Sequence, residues 1–419
     1  MKKIILCAGG LVLSIACVSA AYGGAIDNKT NWSAEYIRTL NRNAATDFAD
    51  IAAYNPAGTV KLHEGFSLNG SVQYLSKEYE NNITLPGIAY NLESDEPSYI
   101  PGLFAVYNKG KFSVFGAFSN VGGGGKVDFS EGSWTTLGAQ LYLIGLSDVD
   151  SLVYPGPQQI SAKSYYLGYT LGAAYALNDK VSLSAGVRYV DASREAKGSA
   201  IIYDAVLSPN PPVAINFEEE GDGLGGIFGI NLAPNEKVNI GIRYDTRTNI
   251  DLRATVKEDT YGLLPGLLGV IDGQERTRDL PAILAFGISY WLNPKLRVEA
   301  DYTHYFNTGA DWDGTENVAD DGYDIGIAFE YLFNDKITGS VGYMHTELGL
   351  DPENMLPENP ELDANTLGAG IAYTFNEKFL TNFSIGNSFY EDDSFTQGPV
   401  GIDYKKNNLF LALGLEYRF

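Results

Sequence analysis

A short turn built around asparagine recurs along the chain. It reads Leu177-Asn178-Asp179-Lys180, Pro234-Asn235-Glu236-Lys237, Leu292-Asn293-Pro294-Lys295, Phe333-Asn334-Asp335-Lys336 and Phe375-Asn376-Glu377-Lys378, with a looser form at Tyr107-Asn108-Lys109-Gly110-Lys111. Each copy sits between two runs that alternate apolar with polar residues, which is the signature of a hairpin. Before Asn334, Ile325, Ile327, Phe329, Tyr331 and Phe333 share one face; Asp324, Gly326, Ala328 and Glu330 share the other. After Asn235, Val238, Ile240, Ile242 and Tyr244 oppose Asn239, Gly241, Arg243 and Asp245. After Asn293, Leu296, Val298, Ala300 and Tyr302 oppose Arg297, Glu299 and Asp301. A period of two marks half-buried strands. Because the polar face carries charge and glycine on strand after strand, the pattern suits a polar lumen with an apolar outside.

The alternating runs number 14, at about 65–79, 97–108, 111–122, 161–176, 180–197, 214–232, 237–257, 277–292, 295–307, 321–333, 336–347, 363–375, 378–390 and 402–419. The asparagine turns join even runs to odd ones, and the remaining connections are long. The fold class expected is therefore all-β: a 14-stranded antiparallel transmembrane β-barrel, short-turned on one side and long-looped on the other. The final run, Leu409, Leu411, Leu413, Leu415, Tyr417 and Phe419, alternates to the end of the chain. Its terminal aromatic resembles the sorting signal of bacterial outer-membrane barrels; the last strand of a soluble β domain is the other reading.

The N-terminus points to the same compartment. Lys2 and Lys3 precede a mostly apolar stretch, Ile4 to Val18, and Val18-Ser19-Ala20 before Ala21 forms a small-residue cleavage site, so residues 1–20 read as a secretory signal peptide. Cys17 raises a lipoprotein alternative, weakened by Ser14 where leucine is preferred. Cys7 and Cys17 are the only cysteines, so cleavage after Ala20 leaves none for disulfide or thiol chemistry. Removing Lys2 and Lys3 takes the formal charge from −23 to −25, which speaks against nucleic acid or anionic partners as ligands. Acidic clusters at Glu218–Glu220, Asp320–Asp321 and Glu391–Asp393 read as solvated loops, with bound divalent cations as the alternative. No later apolar run is long enough for a transmembrane helix, which leaves a closed barrel as the way to satisfy every backbone group in lipid.

Residues 27–58 do not alternate. Trp32, Tyr36, Leu40, Ala44 and Phe48 recur every four, which is helical spacing. Ser33 or Asp47 is placed to cap a turn, and Pro56 ends the segment. Two readings stand: a helical cap on the end of the barrel, or a plug inside it. The lumen of 14 strands is too wide for side chains alone to fill, since eight strands are already just filled. The domain division expected is signal peptide 1–20, hatch 21–62 and barrel 63–419.

Ala52-Ala53-Tyr54-Asn55-Pro56-Ala57-Gly58, closing an N-terminal segment before about 14 strands, resembles the outer-membrane long-chain fatty acid transporter family (FadL-like), which includes channels for aromatic hydrocarbons. Three further stretches carry the resemblance: Phe118-Ser119-Asn120-Val121 with the glycines 122–125, Asp279-Leu280-Pro281 opening the eighth strand, and residues 320–336. It implies passive transport of a hydrophobic ligand through a plugged barrel, with sideways exit at a kinked third strand. By resemblance, Asn55, Pro56 and Ala57 form the hatch motif lying against the kink, and Asn120, Gly122 and Gly123 form the kink itself. A flexible loop start is the alternative reading of that glycine run. The resemblance also implies a monomer among outer-membrane lipid and lipopolysaccharide in a Gram-negative bacterium.

The stretch 261–271 is very apolar for an outside loop, and Leu263, Leu264, Leu267 and Leu268 are the candidate landing groove. Residues 137–146 and 200–207 are similarly apolar, and packing of these loops on one another is the bland alternative. His63, His304 and His345 have no metal spacing, and no nucleophile signature is present, so neither cofactor nor metal is expected and an enzyme is disfavoured. Lumenal Arg188, Arg243, Arg297 and Arg418 are expected to pair with Glu299, Asp301, Glu330 and Glu416. A general diffusion porin and a surface adhesin remain as alternatives.

Overall fold

The computed structural model describes residues 31–146, 154–203 and 212–419. The expected signal peptide, the first ten residues of the expected hatch and the apolar residues 204–207 lie outside the described residues. The strands are β1 (Gly65–Leu85), β2 (Ile88–Ser94), β3 (Ser98–Lys109), β4 (Phe112–Phe129), β5 (Tyr154–Asn178), β6 (Val181–Tyr203), β7 (Val213–Asn235), β8 (Val238–Asp245) and β9 (Asp251–Asp259). They continue as β10 (Glu275–Thr277), β11 (Ala282–Asn293), β12 (Leu296–Phe306), β13 (Gly322–Asn334), β14 (Ile337–Glu347), β15 (Ala364–Thr374), β16 (Phe379–Tyr390), β17 (Asp393–Gln397) and β18 (Val400–Arg418).

Consecutive strands pair antiparallel, and the ring closes where β1 pairs β18 from Ser67–Arg418 to Thr84–Gly401. β8 with β9 fills one position in the ring and β10 with β11 the next, while β2 and β17 form hairpins above β1 and β18. The result is the closed 14-stranded barrel expected from the alternating runs. The strands outrun those runs on the long-loop side: β1 reaches Leu85, β4 reaches Phe129 and β6 reaches Tyr203. There the pattern changes phase: Tyr79, Ile83, Val127, Phe129 and Ile202 are buried, whereas Thr84 and Asp128 are exposed.

The asparagine turns work through their side chains. In all five, the asparagine Oδ1 accepts the backbone N–H groups two and three residues on, at 2.9–3.2 Å. That double acceptance fixes a tight reversal and so sets the register of each hairpin.

Inside and outside are inverted along much of the barrel wall. Ile325, Phe329 and Phe333 are exposed, while Asp324, Ala328 and Glu330 on the same strand are buried. Aromatic pairs gather at two levels of the outer face. Phe66–Phe419, Tyr331–Phe333 and Tyr373–Phe375 lie near the short turns, with ring centroids 5.3, 5.0 and 4.7 Å apart. Tyr74–Tyr99, Phe118–Tyr169 and Tyr302–Tyr323 form the second level. Tyr74 lies eight residues beyond Phe66 on β1, about 26 Å of strand.

The segment before β1 lies within the barrel, against the inner faces of its strands. It is not one helix. A helix spans Ala34–Thr39 with Ser33 as its cap, its Oγ accepting Tyr36 N–H at 3.0 Å, and it stops at Leu40 in a left-handed conformation (φ 57°). A single turn follows at Ile51–Tyr54, and Pro56 opens a 3₁₀ turn through Lys61 rather than ending a helix. The wall supplies the reason. Asp301 accepts Asn43 N–H, Glu299 accepts Ala44 N–H and Glu416 accepts Ala49 N–H. Asn239 and Arg297 donate to Ala44 O, and Arg243 donates to Ala53 O and Tyr54 O. Barrel side chains thus satisfy backbone groups that a free helix would have to satisfy itself.

Candidate functional site

The hatch lies on a bed of glycines. Ideal β-carbons on Gly102, Gly241, Gly342 and Gly368 would fall on the backbone of Trp32, Asn43, Thr39 and Ile37, and one on Gly287 would lie 2.7 Å from Ala44 N. These glycines occupy inward positions on β3, β8, β14, β15 and β11. Between them stand paired charges: Arg38 with Glu330, Arg42 with Asp47 and Asp50, and Arg297 with both Glu299 and Glu330. Arg297 and Arg418 pair with Glu299, Glu330 and Glu416 as expected. Arg188 and Arg243 instead share Asp245, at 3.0 and 3.1 Å. Trp32, Tyr36 and Tyr54 stack in the hatch, with Tyr54 central to both pairs.

Asn55 donates to Ala45 O and to Asn231 Oδ1, at 3.0 and 2.8 Å. Pro56 and Ala57 approach Gly229, and Ser182 Oγ donates to Ala57 O at 2.6 Å. These partners stand on β6 and β7, close to the Asn178 and Asn235 turns. The resemblance implied contact of this motif with the kink of β4; the observed hydrogen bonds tie it to the short-turn end instead. The reason is local: Asn231 and Ser182 present side-chain hydrogen-bonding groups where Gly229 leaves room for the ring of Pro56.

The kink is real and lies in the middle of β4, not at its end. β4 carries two more residues than β5 between the pairs Asn120–Leu167 and Gly125–Ser164. Asn120 Oδ1 accepts Tyr166 N–H at 3.2 Å, so a side chain replaces a missing ladder bond. Gly123 and Gly125 adopt φ of 86° and 72°, a region that glycine enters without steric penalty. A β-carbon at Gly122 would crowd Leu280 and Tyr166.

On its other side β4 leaves its neighbour. The β3–β4 ladder stops at Gly102–Ser119, whereas β3 stays paired to β1 as far as Ser98. The next residue on β3 is Pro101, which has no N–H to donate, as befits an edge. β4 is tethered again further up, where Ser98 Oγ accepts Lys126 N–H, Ser94 Oγ accepts Asp128 N–H, and buried Lys77 donates to Gly124 O and Lys126 O. The wall therefore has an unladdered stretch between Ser119 and Lys126. Pro101 was the sequence signal for it, and the pattern of alternation concealed it.

A cavity of about 90 Å³ lies just inside this stretch. Gly124, Gly125, Val127, Ile160, Phe217 and Leu268 give it mostly apolar walls. Arg194 and Arg276 stand at one side, both paired to Glu219, at 3.6 and 2.6 Å. Arg278 is close by, with Asp313 as its 3.4 Å partner and its Nε without one among the described residues. Burial and the neighbouring guanidinium groups of Arg276 and Arg194 push Arg278 down to about 10. Three arginines thus gather around buried Glu219, with the carboxylates of Glu195, Glu358 and Glu361 elsewhere in the cavity wall. The sequence did not reveal this cluster because it comes from β6, β10 and the segment before β11.

The apolar stretch 261–271 packs against other loops. Leu263, Leu264 and Leu268 are buried, not exposed, in a core shared with Trp134, Leu137 and Leu141 of the helix Trp134–Leu146 and with Met355 and Leu362. The side chain of Leu267 lies outside what is described. Packed loops win here because each apolar stretch buries the other. Leu268 still lines the cavity beside the seam and Leu263 a smaller one of about 20 Å³. Among the described residues no group of three or more His, Cys, Asp or Glu is disposed to hold a metal ion.

A closed barrel filled by an N-terminal plug, with the β3–β4 seam interrupted in its wall, is the class of fold that this geometry defines. Solved structures share it. A Pseudomonas aeruginosa FadL homologue superposes with a TM-score of 0.71 at 14% identity, covering 96% of this chain and all of its own. The Pseudomonas putida toluene transporter TodX gives 0.64 at 14% identity, covering 95% and 100% of the two chains. The Ralstonia pickettii toluene transporter TbuX gives 0.60 at 18% identity, covering 90% and 95%. At such identities the likeness is one of fold. No protein-family model matches the sequence, and no curated protein sequence matches it.

Proposed function

We propose that this protein is an outer-membrane channel for passive uptake of hydrophobic molecules that carry an anionic headgroup, such as long-chain fatty acids. The observation that carries this reading is the interrupted β3–β4 seam beside an apolar cavity, in a barrel whose straight-through path is filled by a hatch. A ligand entering among the long loops reaches the cavity, sets its acyl chain along Val127, Ile160 and Phe217, and leaves sideways between β3 and β4. The arginine cluster at Arg194, Arg276 and Arg278, with the Nε of Arg278 unpaired among the described residues, supports a carboxylate rather than a bare hydrocarbon. The exposed apolar belt between two aromatic levels supports a membrane setting, for outer-membrane barrels carry an apolar band of about 25 Å flanked by such girdles. Outer-membrane lipid and lipopolysaccharide surround a monomer in this reading, and no catalysis is assigned.

A general diffusion porin is disfavoured by the buried ion pairs that hold the hatch. The discriminating experiment is conductance in planar bilayers combined with fatty acid uptake by intact cells. Small conductance with uptake above the empty-vector level supports the channel; steady large conductance from the intact protein overturns it.

A further inference from the structure

The connection between β14 and β15, residues 348–363, does not stand clear of the barrel. Met355, Pro357, Glu358, Pro360 and Leu362 are buried. The segment turns inward and supplies Leu356, Glu358, Asn359 and Glu361 to the wall of the cavity beside the seam. Its tip meets the kink directly: an ideal β-carbon on Gly124 would lie 3.1 Å from Asn359 Nδ2 and 3.2 Å from its Cγ.

Two buried lysines fix this meeting from opposite sides. Lys77 on β1 donates to Gly124 O and Lys126 O, carbonyls left without a β3 partner. Lys406 on β18 donates to Asn359 Oδ1 at 3.3 Å and Pro360 O at 3.1 Å. Tyr79 lies between them, its ring 5.6 Å from Lys77 Nζ and 4.6 Å from Lys406 Nζ, and Tyr390 flanks Lys406 at 4.9 Å. Asn81 Nδ2 donates to Pro357 O, and Ser133 Oγ donates to Glu358. One lysine therefore holds the unladdered strand and the other holds the segment laid against it.

We infer that residues 348–363 gate the seam between β3 and β4, with Asn359 as the stopper over Gly124 and Lys406 as the residue that holds it in place. This rests on the transport reading above. Ligand passage requires Asn359 to withdraw from Gly124, which breaks its bond to Lys406 while the barrel ladder stays intact. The seam opens by movement of a loop segment, and the hatch with its buried ion pairs stays seated.

The test is a crosslink in the full-length protein. The described residues contain no cysteine, and a side chain within 3.2 Å of the ideal Gly124 β-carbon puts the Gly124→Cys/Asn359→Cys pair within disulfide reach. Radiolabelled palmitate uptake is measured in intact cells that have no other route for it. The oxidised, fully crosslinked protein should lose most of its uptake, and reductant should restore it. Lys406→Met, with unchanged heat-modifiability on electrophoresis, should speed uptake several-fold. If crosslinked and reduced proteins transport palmitate equally, the gate is overturned and the transport reading stands. If the wild-type protein itself transports none, the transport reading fails and the gate falls with it.

Discussion

The carbonyl oxygen of Thr39 occupies the place that a β-carbon on Gly342 would take. The hatch thus rests with its backbone directly against the backbone of β14, and only glycine permits that approach. Gly342→Ala must displace the hatch or bend the strand, and overpacking of this kind in a close-packed interior costs about 1–3 kcal/mol. The barrel ladder does not depend on the hatch, so the variant should assemble normally and show raised conductance in planar bilayers. Normal conductance would mean that the hatch absorbs the added methyl group without shifting.

Asn55 ties the hatch to itself through Ala45 O and to β7 through Asn231. Asn55→Ala removes both bonds; Asn231 Oδ1 keeps Asn239 as a donor, but Ala45 O loses its own, worth about 1–3 kcal/mol. Protease cleavage or hydrogen exchange within residues 40–58 should rise while barrel assembly is unchanged. Failed assembly would make the motif structural for the barrel as a whole.

Arg194 lines the cavity beside the seam, and Glu219 keeps Arg276 as a partner without it. A charge-assisted bond to a ligand carboxylate is worth about 1.5–3 kcal/mol, so Arg194→Met should weaken dodecanoate binding by roughly 10- to 100-fold. Dodecanol, which lacks the charge, should bind as before. Titration calorimetry of both ligands separates a headgroup site from a purely apolar one; equal losses would remove the case for an anionic ligand.

Burial pushes the Glu358 carboxyl above its ordinary range, partly offset by hydrogen bonds from Ser133 and Thr135. A raised folded value means that the folded segment binds the proton more tightly than the unfolded one does. Its contribution is fully present below the ordinary carboxylate range and is lost as pH rises through the raised value. Limited proteolysis within residues 348–363 should therefore increase with pH across that window. Glu358→Gln, which can still accept from Ser133, should flatten the profile, and an unchanged profile would assign the dependence to another group.

The sequence by itself determined the barrel. Alternation in runs such as Tyr323 to Phe333, and the five asparagine turns, are local properties: a strand's faces and a turn's hydrogen bonds are set by residues within a few positions of one another. The kink was legible for the same reason, because Gly123 and Gly125 need backbone angles that other residues avoid. What only the tertiary structure decided involves partners distant along the chain. The i+4 spacing from Trp32 to Phe48 did not make one helix, because Asp301, Glu299 and Glu416 take the backbone N–H groups that helix formation would have used. The burial of Leu264 is not encoded locally, because its cover, the helix Trp134–Leu146, comes from another loop. The arginine cluster, the end of the β3–β4 ladder and the seating of Asn359 on Gly124 arise from strands that meet only when the ring closes. Ring closure fixes which inward side chains share the lumen, and no local pattern encodes that.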